Sequence, residues 1–409
     1  MTTITSGAAE ASETRRKLWL MATAAFASTA NLRICDPLLP EIARAFEVTV
    51  GRASWIVTAY AAAYGIFQIL LGPLGDRLGK FRIIAFATLG AGVASVLCAA
   101  MPGLASLTVM RFLAGASAAA IIPLSFAWIG DRVAYERRQV VLSRFVSGQI
   151  FGIVFGQAIG GIIADVFSWR MVFVAVGAAH LIAAFLMLRE FARAPEPAPP
   201  VSGRLRAGDT FAAALAVLAR PRARAVLSTG LIEAAAMFGA MAFIGADLAH
   251  RFGVSPRTNG LILSAYAAGA LTYIALAPRL LRRLGEGGLA ITGGLTLAVA
   301  FLLLAGLPSL IFAPVATGLL GLGYYLIHNT LQTNATQMAP EARGLGVALF
   351  AMTLFLGQSI GVAVAAPIVD AAGAWPIFIA SAVILGLTGF WFDFLRRRAV
   401  VADQDQPAR

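Results

Sequence analysis

Apolar stretches of about 19 to 26 residues recur along the chain with short polar gaps between them, each long enough to cross ~30 Å of hydrocarbon as a helix. Twelve spans are predicted, over residues 18–39, 53–73, 83–101, 105–129, 140–164, 171–189, 224–249, 259–281, 288–306, 309–333, 344–369 and 373–395. All are expected to be α-helices, because a segment isolated in lipid must satisfy its own backbone hydrogen bonds. The runs are also too long and too uniformly apolar for barrel strands. Between the sixth and seventh spans, residues 191–222 carry Pro195-Glu-Pro-Ala-Pro-Pro200 and a cluster of arginines, the composition of a solvated linker. The expected organisation is an N-terminal tail (1–17), a six-helix bundle (18–190), the linker (191–222), a second six-helix bundle (223–395) and a C-terminal tail (396–409).

The two halves echo each other. Phe155-Gly-Gln-Ala-Ile-Gly160 matches Leu356-Gly-Gln-Ser-Ile-Gly361, and Gly72-Pro…Leu-Gly79 has a worn counterpart in Ala277-Pro…Leu-Gly285, at a common offset of about 200 residues. Either match alone is easily met by chance in Gly/Ala-rich helices; the shared offset indicates an internal repeat. The fold class read from this pattern is an all-α membrane protein of twelve helices in two pseudo-symmetric bundles.

Composition sharpens that reading. The 409 residues are 59% hydrophobic and 13% charged, with mean hydropathy +0.81, outside the range of a soluble domain. The net charge of +12 would suggest a nucleic-acid partner in a soluble chain. Here the basic residues sit in short gaps on one face of the twelve-span arrangement: Arg15-Arg16-Lys17, the 74–82 turn, the 131–144 loop, the linker, the 279–283 turn and Arg396-Arg397-Arg398. The opposite loops are short and much poorer in Arg and Lys, so the positive-inside rule places both chain ends and the linker in the cytoplasm of a cell with the protein in its inner membrane. No nucleic acid is needed to explain the charge. Cys35 and Cys98 lie within apolar runs and share no metal-ligand spacing with His180, His250 and His328, so no cofactor, metal or disulfide is expected. The apolar run after Lys17 exceeds a signal-peptide core and is read as a retained first helix.

Between the second and third spans the chain reads Gly72-Pro-Leu-Gly-Asp76-Arg77-Leu-Gly79-Lys80-Phe-Arg82. This resembles the G-x-L-x-D-R-x-G-R/K-x-R/K signature of the major facilitator superfamily, with every fixed position filled. The resemblance implies that Asp76, with Gly72, Arg77, Gly79 and Lys80, forms a cytoplasmic latch that pairs with arginines and a helix amino terminus and stabilises the outward-facing state. The turn of the second half, Pro278-Arg-Leu-Leu-Arg-Arg-Leu-Gly285, has no acid within it, so a latch there is expected to be weak or absent. Arg111-Phe-Leu-Ala-Gly115 resembles the R-x-x-x-G signature of proton-coupled members, and Gly156-Gln-Ala-Ile-Gly160-Gly161 resembles the G-P-x-x-G-G signature of exporters, with Gln157 in place of proline. Pro37-Leu-Leu-Pro40 and Ser168-Trp-Arg170 look like the twelve-span drug:proton antiporter branch. What the resemblance implies is a transporter, not an enzyme, that exchanges protons for a small, partly apolar molecule by alternating access and works as a monomer. Import of a small, possibly anionic metabolite by symport or facilitation is the alternative. A membrane enzyme lacks a nucleophile–base motif to support it.

Gly148, Gly152, Gly156 and Gly160, four apart in the fifth span, present a face without side chains. Plain packing and a transport role both fit it. Charges inside spans are costly and mark candidate sites. Arg33 and Asp36 in the first span and Arg111 in the fourth lie at similar depths and are expected to form one cluster in the outer half, with Asp36 neutralising an arginine. Glu233, roughly 13 Å into the seventh span, has no opposite charge near it in sequence and is the leading candidate proton carrier, with Asp36 and Arg111 as partners in coupling. Substrate-cavity candidates are Asn31, Arg33, Tyr60, Tyr64, Gln68, Gln157, Tyr325, His328, Asn329 and Gln358. His328, placed by depth toward the cytoplasmic end, reads as a gate or helix contact.

Overall fold

The computed structural model describes residues 2–194, 207–339 and 343–404. Span 1 is α1 (Thr2–Arg33), followed after a turn by the short α2 (Leu39–Ala45). Span 2 joins α3 (Val50–Ala53) to α4 (Trp55–Leu78), span 3 is α5 (Lys80–Ala99), and span 4 joins α6 (Leu104–Ala118) to α7 (Ile121–Arg132). Spans 5 and 6 are α8 (Tyr135–Val166) and α9 (Trp169–Arg193). After α10 (Ala207–Leu218), span 7 joins α11 (Pro221–Met241) to α12 (Ile244–Phe252). Span 8 begins as α13 (Pro256–Ser264) and continues into α14 (Tyr266–Ala305). Inside α14 the backbone of Gly285 turns to φ 63°, a conformation that suits glycine, and the chain reverses there into span 9. Spans 10, 11 and 12 are α15 (Ala313–Ala335), α16 (Arg343–Ala372) and α17 (Trp375–Gln404). Gly79, at φ 93°, makes the corresponding reversal between spans 2 and 3. The fold is therefore the twelve-helix, two-bundle architecture that the apolar pattern predicts.

Four boundaries differ from expectation. Span 1 does not run to residue 39: α1 ends at Arg33 and the chain turns through 34–38, because Pro37 and Pro40 cannot continue the ladder and Pro40 instead sits in the first turn of α2. The expected N-terminal tail is helical from Thr2. Its basic end is tied down to span 6, with Lys17 Nζ donating to Ala194 O at 3.2 Å and Arg16 lying 3.3 Å from Glu190. The linker contains α10, while residues 195–206, including the proline run, lie outside the described residues. At the other end α17 extends through Arg396-Arg397-Arg398 to Gln404.

Within the first half, span 1 packs on span 5, span 2 on span 4 and span 3 on span 6; the second half repeats this with 7 on 11, 8 on 10 and 9 on 12. The glycine face of span 5 meets span 1. A Cβ at Gly148 would stand 3.6 Å from Ala22 O, one at Gly156 only 2.7 Å from Ala30 Cα, and one at Gly152 would overlap Phe26 O and the Thr29 hydroxyl. The pseudo-equivalent pair uses Gly357 and Gly361 of span 11 against Leu231 and Ala235 of span 7. The halves themselves join along two seams, span 2 with span 11 and span 5 with span 8, which exchange under the repeat. Gly161 and Gly260 bring spans 5 and 8 to backbone contact, and Ser359 Oγ donates to Thr58 O at 3.2 Å across the other seam.

Candidate functional site

Arg111 is fully buried in span 4. Its Nη1 donates to Asn31 Oδ1 at 2.6 Å, Nη2 to Asn31 O at 3.3 Å and Nε to Ile56 O at 3.4 Å. Its guanidinium also lies 4.2 Å from the Tyr60 ring centre, and Asn31 is held in turn by Ser95 Oγ at 2.7 Å. One turn further along span 4, a Cβ on Gly115 would overlap the carbonyl of Tyr60. The Arg-x-x-x-Gly spacing thus docks span 4 directly on the backbone of span 2 while the arginine bolts spans 1, 2 and 4 together. Within the expected cluster of Arg33, Asp36 and Arg111, the hydrogen bonds of Arg111 go to Asn31 and Ile56 rather than to Asp36.

Arg33 pairs with Asp36 instead, at 3.7 Å, and the carboxylate also accepts from Gln157 Nε2 at 3.4 Å. The amide that replaces the signature's proline therefore reaches an acid in the turn after span 1. The Arg33 guanidinium crosses to the second half and stacks 4.1 Å over Phe238 of span 7, a cation–π contact worth about 0.5–2 kcal/mol. Beyond Phe238 lie Tyr324 at 5.1 Å between ring centres, then Tyr266 against Tyr324 and Tyr325, with Tyr273 stacked on Tyr325.

Glu233 is buried and has a partner that the sequence did not suggest: its Oε2 lies 3.4 Å from His328 Nδ1. Its other oxygen meets no hydrogen-bonding partner among the described residues. Depth counting separated the two because it follows the rise along each helix and ignores side-chain reach. His328 is stacked between Tyr324 (4.5 Å) and Phe350 (5.6 Å). The face of span 10 opens progressively toward the end bearing the chain termini, from buried Tyr324 through partly exposed His328 and Asn329 to exposed Gln332.

The proposed wall of span 2 is closed rather than open. Tyr60, Tyr64 and Gln68 are all buried: Tyr60 backs Arg111, and Tyr64 packs 4.2 Å from Phe355 across the seam. Gln358 is likewise buried, with its Nε2 unpartnered among the described residues. In the 72–82 turn, Lys80 Nζ bridges Asp76 at 2.9 Å and Asp131 at 2.6 Å, all within the first half, and Asp76 is 62% exposed. The second half does have an acid at this place. Glu286, directly after Gly285, accepts from Asn334 Nδ2 at 3.2 Å and faces Arg396 at 4.0 Å. The repeat offset laid from Gly79-Lys80 onto Gly285-Glu286 points to it, but a motif written from the first half, with a base after the glycine, hides it.

The Major Facilitator Superfamily model matches the chain twice, over residues 21–245 and 226–408. Among relatives, the uncharacterised MFS-type transporter YceJ of Bacillus subtilis is 24% identical over 85% of this chain and 88% of its own length. YwfA of the same organism is 25% identical over 88% of each. Among solved structures, an inward-facing bacterial homologue of the lysosomal transporter Spinster superposes with TM-score 0.74 at 17% identity, covering 96% of this chain and 98% of its own. The nucleoside transporter NupG gives 0.73 at 13% identity over 93% of this chain and 98% of its own.

Proposed function

We propose, starting from the fact that this chain belongs to the major facilitator superfamily and is a multi-pass membrane transporter of small molecules rather than an enzyme, that it exchanges protons for a small, partly apolar compound and moves that compound outward. In this reading it belongs to the drug:proton antiporter branch, acts as a monomer in the inner membrane and keeps both chain ends in the cytoplasm. The observation that carries proton coupling is the buried Glu233–His328 pair, with one carboxylate oxygen unpartnered among the described residues and a polar path along span 10 toward the terminal end. A carboxyl kept inside a membrane bundle at such cost is retained for a task, and loading and releasing a proton is the task its chemistry suits. The aromatic wall of Phe238, Tyr266, Tyr324 and Tyr325 supports an apolar substrate, with Arg33 stacked on Phe238 and paired with Asp36. Asp76 serves this cycle as the cytoplasmic latch.

The test compares everted vesicles carrying the parent protein, Glu233→Gln and Asp36→Asn, with proton release followed on addition of a panel of small apolar and amphipathic compounds. Glu233→Gln keeps the shape of the protonated acid but cannot release its proton, so it is expected to express normally and lose proton-driven uphill transport. Retained release in Glu233→Gln together with loss in Asp36→Asn moves the carrier to the turn after span 1. Retained coupling in both overturns proton antiport.

A further inference from the structure

At the end of the molecule opposite the chain termini, one carboxylate spans the two halves. Asp370, in the last turn of span 11, accepts from the Thr49 hydroxyl at 2.7 Å with Oδ2 and from the Gly51 backbone N–H at 2.8 Å with Oδ1. Thr49 is the residue that caps the start of span 2, accepting from Arg52 N–H at 3.2 Å with the same hydroxyl oxygen. Gly51 is buried, and a Cβ there would overlap Ala366 O and the Asp370 carboxylate. The absence of a side chain at 51 is therefore what lets span 11 reach the amide. Both contacts join residues more than 300 positions apart in sequence.

The rest of the seam lies in line with this contact. Ser359 Oγ donates to Thr58 O two turns further in, and near the middle of span 2 Gly65 faces Phe355 and Met352. Thr58 offers its carbonyl to this seam while its hydroxyl is unpartnered among the described residues, and Gly65 meets apolar side chains and helix backbone. Asp370 is the charged group among these seam contacts, and charge-assisted hydrogen bonds are both stronger and more directional than neutral ones. A seam that must open and reclose in a transporter needs contacts that are specific when shut and recover their hydration when parted. Asp370 and Thr49 lie at the exposed mouth, where water can replace each bond as it breaks.

We propose that Asp370 is the outer latch of this protein: its two hydrogen bonds to Thr49 and Gly51 hold spans 2 and 11 together on the face opposite the chain termini and set how often that face opens. The proposal rests on the alternating-access reading above. It names an acid at the end of span 11 as the counterpart of the acid at the other end of span 2. In the state described, Asp370 is engaged across the halves, while Asp76 is bonded to Lys80 of its own half.

The latch is tested without any knowledge of the substrate. Cys35 and Cys98 are both buried and are replaced by alanine, and Thr58→Cys supplies a reporter inside the seam, at a side chain whose hydroxyl is unpartnered among the described residues. Labelling by a membrane-impermeant maleimide is timed in intact cells and in everted vesicles, on the reporter alone and with Asp370→Asn, Asp370→Ala or Thr49→Val. With both bonds lost in Asp370→Ala, the reporter is expected to label about tenfold faster from the Asp370 side. Thr49→Val, which removes one bond and leaves the carboxylate, gives a smaller rise in the same direction. Equal labelling rates in all variants, with normal expression and a monodisperse elution profile, overturn the latch. Acceleration that shows in everted vesicles rather than in cells keeps the latch and reverses the membrane orientation. Accelerated labelling without proton-coupled transport of any compound in the parent keeps the latch and sinks the antiport reading instead.

Discussion

At the scale of single residues, the buried charges of this protein are held in two different ways. Arg111 is satisfied at every turn, by Asn31 on two atoms, by Ile56 O and by the Tyr60 ring, whereas Glu233 is held on one oxygen only among the described residues. A fully satisfied planar cation fixes geometry; a half-satisfied acid can change state. Arg111→Lys tests the first half of that contrast. An ammonium cannot reproduce the fork to Asn31 or the stack on Tyr60, so the variant should lose about 1–3 kcal/mol of stability through unmet buried partners. The measurement is a lowered apparent melting temperature in detergent, read by loss of monodisperse protein on heating. Unchanged stability with lost proton coupling would instead make Arg111 a participant in coupling. That Arg111 and Glu233 lie inside the helical bundle was legible in the sequence, because both sit in apolar runs. Their partners were not, since Asn31 lies 80 positions from Arg111 and His328 lies 95 from Glu233.

At the scale of helices, the glycine spacing of span 5 said that something packs closely, and the structure identifies span 1 as that partner. The fit is graded: Ala22 leaves room beside Gly148, while Ala30 and Phe26 leave none beside Gly156 and Gly152. Gly148→Ala should therefore behave as the parent, and Gly152→Ala and Gly156→Ala should each be destabilised, by about 1–3 kcal/mol, the usual cost of overpacking. Thermal unfolding of the three variants side by side checks the order; equal effects would mean that spans 1 and 5 do not touch along this face. Hydropathy could not show where span 1 ends. The run stays apolar through Leu38 and Leu39, and only the prolines at 37 and 40 mark the break that the backbone makes after Arg33. The reversals at Gly79 and Gly285 were easier to read, because a glycine followed by a charged residue between two apolar runs leaves little else for the chain to do.

At the scale of the whole molecule, the arrangement follows from repetition. Two bundles with the same internal pairings meet on seams that interchange under the repeat, spans 2 with 11 and 5 with 8, so one set of small-residue contacts serves both sides of the molecule. The repeat was visible in the sequence as a common offset. Which face of each bundle turns toward the other was not, because the seam glycines Gly51, Gly161 and Gly260 look like any other small residues until their neighbours are known. Orientation in the membrane still rests on charge. Most basic groups gather at the end that carries Arg16, Lys17, Lys80, Arg222 and Arg396, where these pair with Glu190, Glu13, Asp131, Gln337 and Glu286, and the opposite end carries fewer, among them Arg52 and Arg251, with the exposed Ser309 turn before span 10. In a background without Cys35 and Cys98, Ala219→Cys, at the exposed approach to span 7, and Ser309→Cys report the two faces separately. Ser309→Cys should react with an impermeant thiol reagent in intact cells, and Ala219→Cys only after the membrane is opened. The paired design guards against a poorly reactive site, because each cysteine must label fully in permeabilised cells. Labelling of Ala219→Cys from outside, with Ser309→Cys protected, would invert the molecule, turn the Asp370 face toward the cytoplasm and place the opening beside His328 on the outside.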